Sequence, residues 1–525
     1  LDNEVEQLTT EEGFMQRQGQ IEFRRSGHFW TDLGVIALWH RLADAAPNGV
    51  RCEGDGYVAE HGKFKALLRA NALELSGQEE AILSELRVAV EALRAQVWQP
   101  TKKGKMWWFG IADFLYAGQW TIDFLRYYDQ IGAKLKKPPA KPCSICGRDD
   151  LPVRITATAY NPLTVSVDKM STFYSELSGG ETICQACAFA SPFALTRAWY
   201  SIQELTATLV WPVGPDFLAL NRFFQTVSRH FIVAHPFRNY QQAIQRAQSA
   251  SACFLDVLCS LWNVSQNEGS GHVLAMALAG VQFHAMQLSK PNRRSNVISV
   301  DRYEIIPDPV GILRLVQTCD QTSRQGERWN ALQSSLSAMP IIRQTPEGRT
   351  EADTRLLDAT SRAVVARAPV DQVIEERVYA ALDDMQRDAA SIAYFPTVGL
   401  RTFIPIYLEE VKDMTVDLLP SVQSVGTTLG ELVKQTDDRS ILYNLRNARN
   451  PDDLLEVLSR VVIRHADEFI AGEPELYRGN VRKLAESIDQ TNWRRIRSLL
   501  GIYAGLRFID LSKPQSGQQS SQSAP

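Results

Sequence analysis

At 525 residues the chain is too long for one hydrophobic core, and about two to four domains are expected. An apolar fraction of 45% and a charged fraction of 22% are ordinary globular values and exclude a fibrous or wholly disordered chain. A formal net charge of −4 excludes a global field for polyanions, so any nucleic-acid binding has to come from local basic patches.

In chain order, residues 1–20 are polar and read as a mobile segment. They open on Leu1-Asp2-Asn3-Glu4, which is acidic and lacks the apolar core of a signal peptide. A body over 21–372 follows. From Phe29 the pattern is helical, with Leu33, Ile36, Ala37 and His40 on one face. A second helix is expected from Ile82 to Val97, and an aromatic-rich one over 111–132. Pro100 to Trp108 forms a Lys- and Gly-containing loop, and 134–142 a basic, proline-rich linker. Phe189 to about Ala285 reads as mostly helical. Within it begins a stretch without formal charge, Gly271 to Leu288, about the length of a short membrane span. His272, Gln282, His284 and Gln287 interrupt that stretch. It reads as a buried helix of a soluble protein, with no membrane association and a cytoplasmic location expected. A basic loop and a strand over Val297–Tyr303 come next, and 340–370 reads as a loop-rich connection.

The clearest helical block is 373–511, expected to form a C-terminal helical bundle. Asn450-Pro451-Asp452-Asp453 is a strong helix start: Asn caps, Pro suits the first turn, and the acids favour the positive end of the dipole. Leu454, Leu455, Leu458, Val461 and Val462 make its apolar stripe; Trp493, Ile496, Leu500 and Tyr503 make another. The Ser- and Gln-rich tail 512–525 has nothing with which to build a core and reads as disordered. No internal repeat is evident.

Eight cysteines in so long a chain are not a disulfide scaffold, and four of them form two CxxC pairs, Cys143/Cys146 and Cys184/Cys187. Two such pairs supply a tetrahedral thiolate cage, which suits structural zinc and leaves no position for water. Gly147 permits the tight turn of a zinc knuckle. Between the pairs, Val153, Ile155 and Ala157, then Leu163, Val165 and Val167, alternate as in a hairpin. Knuckle, hairpin and helix start are in treble-clef-like order within 143–187. The fold class is therefore mainly α with a small β/zinc segment. Four unliganded core thiols are the plainer reading of the same residues.

No catalytic constellation accompanies this segment. An HNH nuclease needs a histidine between the pairs, and none lies between His61 and His230. Gly56 to Gly62-Lys63 is one residue too long for a P-loop, and Phe64 replaces its Ser or Thr. The adjacent acids Asp383-Asp384 and Glu409-Glu410 point apart on a helix. The chain reads as no enzyme.

Basic clusters with aromatics are the alternative source of function. Lys102, Lys103, Lys105, Arg126, Lys134, Lys136, Lys137 and Lys141 face only Asp113, Asp123 and Asp129. Lys102, Lys103 and Lys105 sit beside Trp107 and Trp108, a combination that neutralises phosphates and stacks on bases. It serves equally as a solvated loop over buried tryptophans. Asn292, Arg293 and Arg294 carry base-reading chemistry, or an ordinary polar turn. Arg494 and Arg495 occupy a helix start, where a phosphate would reverse their unfavourable interaction with the dipole.

Ser26-Gly27-His28-Phe29-Trp30-Thr31-Asp32-Leu33-Gly34, the two CxxC pairs and the helical block containing Leu442-Tyr443-Asn444-Leu445-Arg446 together resemble the large subunit of type I-B CRISPR Cascade, the branch with a CXXC-CXXC zinc segment. The resemblance implies a non-catalytic subunit at the crRNA 5′-handle, beside the other Cascade subunits. Such a subunit inspects the protospacer-adjacent motif in double-stranded DNA and supports R-loop formation. It recruits a helicase-nuclease or a transposition adaptor. It also implies a C-terminal part resembling a small subunit, made separately by internal initiation near Met385. Arg446, Arg449, Arg460 and Arg464 would then be candidates for contacting the displaced single strand. Pairing of these arginines with Asp452, Asp453 and Glu456 is the competing reading. A zinc-containing protein-interaction scaffold without nucleic-acid binding is the alternative function, and a metal-dependent enzyme whose site carries no familiar motif is a second rival.

Overall fold

The computed structural model describes residues 20–45, 50–52, 55–60, 142–148, 153–156, 182–184, 187, 190, 194, 197–203, 206–231, 238–289, 299–322, 330–344, 350–387, 395–411, 416–464 and 473–513. The expected helices at 82–97 and 111–132 and the tail from 514 lie outside these residues. The fold is mostly helical with smaller sheets. It divides into two compact units, one of residues 1–242 and 248–310, the other of 243–247 and 311–525.

The first unit opens with β1 (Gln20–Arg24), α1 (Phe29–Ala45), β2 (Val50–Cys52) and β3 (Gly56–Glu60). The three strands form an antiparallel sheet in the order β1-β3-β2. The expected α1 face is buried at Leu33, Ile36 and Ala37, and Trp30 is fully enclosed. A turn precedes the helix. Asp32 accepts hydrogen bonds from the Ser26 amide (2.7 Å), the Ser26 hydroxyl (2.8 Å) and the Gly27 amide (3.0 Å). One carboxylate thereby closes the Ser26–Asp32 segment on itself, and Gly27 takes the positive φ of 77° that this turn needs.

The strands β4 (Val153–Thr156) and β5 (Thr182–Cys184) pair with each other. The expected first strand between the cysteine pairs is present, and its described partner is the segment leading into the second pair. The run Leu163–Val167 lies outside the described residues. After them come β6 (Trp199–Gln203), β7 (Thr206–Val213), α2 (Phe217–Val227), α3 (Ala250–Asn267), α4 (Gly271–Leu278), β8 (Gln282–Ser289) and β9 (Ser299–Ile306).

This region corrects two expectations. Phe189–Ala285 is not mostly helical, because β6 and β7 join β8 and β9 in a four-stranded antiparallel sheet. Thr206–Val213 is rich in β-branched and aromatic residues but buried along nearly all its length, so it carries no two-residue period to betray the strand. The charge-free stretch Gly271–Leu288 is likewise not one helix. α4 ends at Leu278, and from Gln282 buried Phe283 and Ala285 alternate with half-buried Gln282 and His284. Phe254 of α3 packs on Phe283 with ring centroids 5.3 Å apart, so one sheet face is the floor of this core. β9 agrees with the strand expected at 297–303.

In the second unit α5 (Pro309–Thr322) and α6 (Ala331–Ala338) are followed by β10 (Ile341–Gln344), β11 (Thr350–Asp353) and α7 (Arg355–Val365). The expected loop-rich connection at 340–370 is thus a β-hairpin and a helix. α7 buries Leu356, Leu357, Thr360, Ser361 and Val364, a helical stripe in which two polar residues conceal the period. α6 starts in a full capping box: Asn330 accepts from the Gln333 amide (2.9 Å) and the Gln333 side chain from the Asn330 amide (3.2 Å). Asn330→Ala should lower stability by about 1 kcal/mol, measured by denaturant unfolding; an unchanged midpoint would count against the box as a stabilising element.

The rest is helical: α8 (Asp371–Arg387), α9 (Thr397–Glu410), α10 (Leu419–Thr436), α11 (Ser440–Asn447), α12 (Pro451–Arg464), α13 (Glu473–Ser487) and α14 (Trp493–Ser512). α12 starts at the expected Pro451, and Asn450 caps it through the Asp453 amide (2.8 Å). Leu454, Leu458 and Val461 are buried as the stripe requires. α14 is enclosed on most of its circumference, not only along Trp493, Ile496, Leu500 and Tyr503. It packs on α8 and, most closely, on α10. A Cβ added at Gly426 of α10 would lie 2.7 Å from Tyr503 Cβ. One at Gly430 would overlap the Ala504 carbonyl oxygen and lie 2.7 Å from Arg507 Cβ. Two glycines let the helix backbones meet where any side chain would hold them apart.

Candidate metal centre

The cysteine cluster is built from two local turns brought together by one strand pair. In the first turn the Cys143 amide donates to the Arg148 carbonyl and the Gly147 amide to the Cys143 carbonyl, both at 2.8 Å. Gly147 has φ +72°, a region an L residue enters only with strain, so the expected knuckle glycine is present for the expected reason. β4 then pairs Val153 with Cys184, which delivers the second CxxC to the first.

The four Sγ atoms lie within 4.8 Å of one another. Cys143 and Cys187 are separated by 4.0 Å and Cys146 and Cys184 by 3.7 Å. Sulfurs on a tetrahedral zinc at about 2.3 Å would be about 3.8 Å apart, so the cage fits such an ion. A disulfide would need about 2.05 Å, and these four cysteines form none. Backbone amides already point at the sulfurs: Cys184 donates to Cys143 Sγ at 3.1 Å, and Cys187 to Cys184 Sγ at 3.5 Å. Such bonds favour thiolate over thiol.

The electrostatics also call for a cation. Hydrogen bonding with Cys146, Cys184 and Cys187 holds Cys143 far below the ordinary thiol range, and hydrogen bonding with Cys184 and Cys187 helps to lower Cys146. Cys184 and Cys187, crowded by the sulfurs of Cys143 and Cys146, are held far above it. Four groups this close cannot all ionise alone. A divalent cation removes the repulsion and allows four thiolates. Among the described residues, this is the group of His, Cys, Asp and Glu side chains placed to share an ion.

His28 of the Ser26–Gly34 segment lies within electrostatic reach of Cys143, a relation that spacing along the chain gave no means of seeing. His28 caps α1, its Nδ1 accepting from the Thr31 amide at 3.3 Å. The ring is buried near Cys143. Burial pushes its pKa down to about 4, against the opposing pull of the Cys143 charge. It is a helix cap, and it stays neutral.

The expected nucleic-acid residues divide sharply. Lys102, Lys103, Lys105, Trp107, Asn292, Arg293 and Arg294 lie outside the described residues; the last three belong to the connection between β8 and β9. Arg446 is exposed, its guanidinium 4.6 Å over the Tyr379 ring. Arg449, at the start of α12, and Arg464, in its last turn, are exposed. Arg494 is exposed, 5.5 Å over Trp493. Arg460 pairs with Glu456 one turn away on α12. Arg495 reaches back 3.2 Å to Asp371 at the start of α8, a partner too distant in sequence to anticipate. The dipole penalty at the start of α14 is thus offset for Arg495 from within the protein.

No family model matches the chain, and no curated protein matches it. Among the described residues no helix is long and apolar enough to cross a membrane.

The site is one that could hold a metal ion such as zinc through four thiolates. Protein purified without chelators should carry one such ion per chain by elemental analysis, and cobalt in its place should give the intense thiolate-to-metal absorption of a four-sulfur site. Metal-free protein with four titratable thiols would count against the centre.

Proposed function

We propose that this chain is a non-catalytic large subunit of a type I-B-like CRISPR Cascade complex, with zinc held by Cys143, Cys146, Cys184 and Cys187. It binds the crRNA 5′-handle and target DNA, inspects the protospacer-adjacent motif, supports R-loop formation and recruits a helicase-nuclease or transposition adaptor. Its place of action is the cytoplasm. The observation that carries the reading is the union of both CxxC pairs in one four-cysteine cluster, the feature in which the resemblance is most specific.

In this reading 373–511 acts as a helical bundle like a Cascade small subunit. Of the arginines proposed to meet nucleic acid, Arg446, Arg449, Arg464 and Arg494 are exposed and offered to a displaced strand. A separate product starting at Met385 fits poorly, because Met385 lies near the end of α8. Such a product would lose the α8 side chains Glu375, Val378 and Tyr379 that line Gly501 and Gly505 of α14.

Binding of duplex DNA by the crRNA-loaded complex, measured across salt concentrations, tests the proposal. Charge reversal at Lys102, Lys103 and Lys105 should flatten the log–log salt slope by about 0.9 for each phosphate no longer neutralised. Changing Asn292 or Arg293 should instead alter sequence preference. The scaffold reading has one observation in its favour, the internal pairing of Arg460 and Arg495. It predicts no salt-dependent DNA binding at all, and that result would overturn the Cascade reading.

A further inference from the structure

We propose that the metal centre is also a peroxide-reactive modification site, entered at Cys146, whose first disulfide joins Cys146 to Cys184. The proposal rests on the metal reading above and goes beyond it by assigning different fates to the four sulfurs.

The four ligands are not equivalent. Cys143, Cys184 and Cys187 are buried, whereas Cys146 is partly exposed. The cause is its place in the knuckle: it closes the turn between exposed Ser144 and exposed Gly147. A small hydroperoxide therefore meets Cys146 first. Cys184, at the end of β5, is enclosed and cannot meet the oxidant directly, but its sulfur stands 3.7 Å from that of Cys146. Closing this gap to about 2.05 Å needs a shift of less than about 2 Å, which a turn can supply without breaking the β4–β5 pair.

The chemistry is a two-electron oxidation by hydrogen peroxide. The Cys146 thiolate attacks one peroxide oxygen, and the O–O bond breaks. That oxygen stays on sulfur as a sulfenic acid, while the other leaves as hydroxide and takes a proton to become water. Sulfenic acid is a poor ligand, so the cation loses one of its four donors. The Cys184 thiolate then attacks the Cys146 sulfur, the S–O bond breaks, and the departing hydroxide takes a second proton. Two thiolates, one peroxide and two protons become one disulfide and two waters, and the metal leaves as a dication. Cys143 and Cys187, 4.0 Å apart, each take a proton from solvent in place of the metal and remain as a thiol pair for a second equivalent.

The experiment uses the full-length, metal-loaded chain. Zinc content is measured first; protein with no zinc would overturn the metal reading, and this proposal with it. Loaded protein is then given one equivalent of hydrogen peroxide, with released zinc followed by a chromogenic chelator and disulfides mapped by differential alkylation. The expected result is loss of the bound zinc with a Cys146–Cys184 cross-link as the first product. In the presence of a sulfenic-acid trap, the label should appear on Cys146. A first disulfide within Cys143–Cys146 or within Cys184–Cys187, or a label on Cys184 or Cys187, would overturn it while leaving the metal reading intact. Cys146→His, which keeps a fourth ligand and removes the exposed sulfur, should retain its zinc under the dose that empties the parent; release at the parental rate would also overturn the proposal.

Discussion

Cys184→Ser should abolish metal binding and loosen residues 142–187 while the second unit keeps its helical structure. Cys184 is fully buried, stands 3.7 Å from Cys146 Sγ and accepts the Cys187 amide. A serine there supplies a hydroxyl, which has to lose a proton at a cost that a thiol does not bear. Structural sites of this kind provide on the order of 10 kcal/mol of apparent binding energy in small peptides at neutral pH. In this chain that energy ties two turns that otherwise share the short β4–β5 pair, so the effect should be large and local. Limited proteolysis should show new cleavage between 142 and 187, with the helical circular dichroism largely kept. Acidification should mimic the substitution, because protons compete with the cation for thiolate and metal affinity falls with pH. Unchanged metal content in the serine variant, or a protease pattern identical to the parent's, would remove this group of four as the site.

Gly430→Leu should unfold the second unit or bring it close to unfolding. The added Cβ alone overlaps the Ala504 carbonyl of α14, and the rest of the side chain has no room beside Arg507. The obstacle is backbone, which no change of rotamer relieves. Forcing extra carbons into a packed contact costs about 1–3 kcal/mol in ordinary cores and more when helices have to separate. Gly430→Ala isolates the first carbon. Its gain in helix propensity, about 1 kcal/mol, opposes the clash, so a net loss establishes that the clash dominates. Gly479→Ala on α13 is the control, since nothing lies within 4 Å of the added carbon. It should be neutral or stabilising by about 0.5–1 kcal/mol. Denaturant midpoints that rank Gly430→Ala with Gly479→Ala would show that α10 and α14 do not approach as closely as described.

The two glycines illustrate the limit of reading a chain by its pattern. A glycine inside a helical stretch weakens the local expectation of a helix, and nothing next to Gly426 or Gly430 says that a second helix passes there. The same limit applies to Arg495, whose acid is at position 371, and to His28, whose neighbour is at position 143. At Arg460 the partner is one turn away, and the pairing with Glu456 was legible from the spacing alone.

What the sequence determined by itself is whatever depends on geometry within a turn or two. The CxxC spacing with Gly147 after it, the cap at Asn450 and the apolar faces of α1 and α12 are all of this kind, because residues three or four apart in a helix or knuckle meet whatever the rest of the chain does. Tertiary structure alone decided which segments pair and which surfaces close. It split Gly271–Leu288 into a helix and a strand, seated Thr206–Val213 in the middle of a sheet and gave β4 the strand of the second cysteine pair as its partner. Burial on both faces erases the alternation that marks a strand, and contacts between residues far apart in sequence leave no period to read.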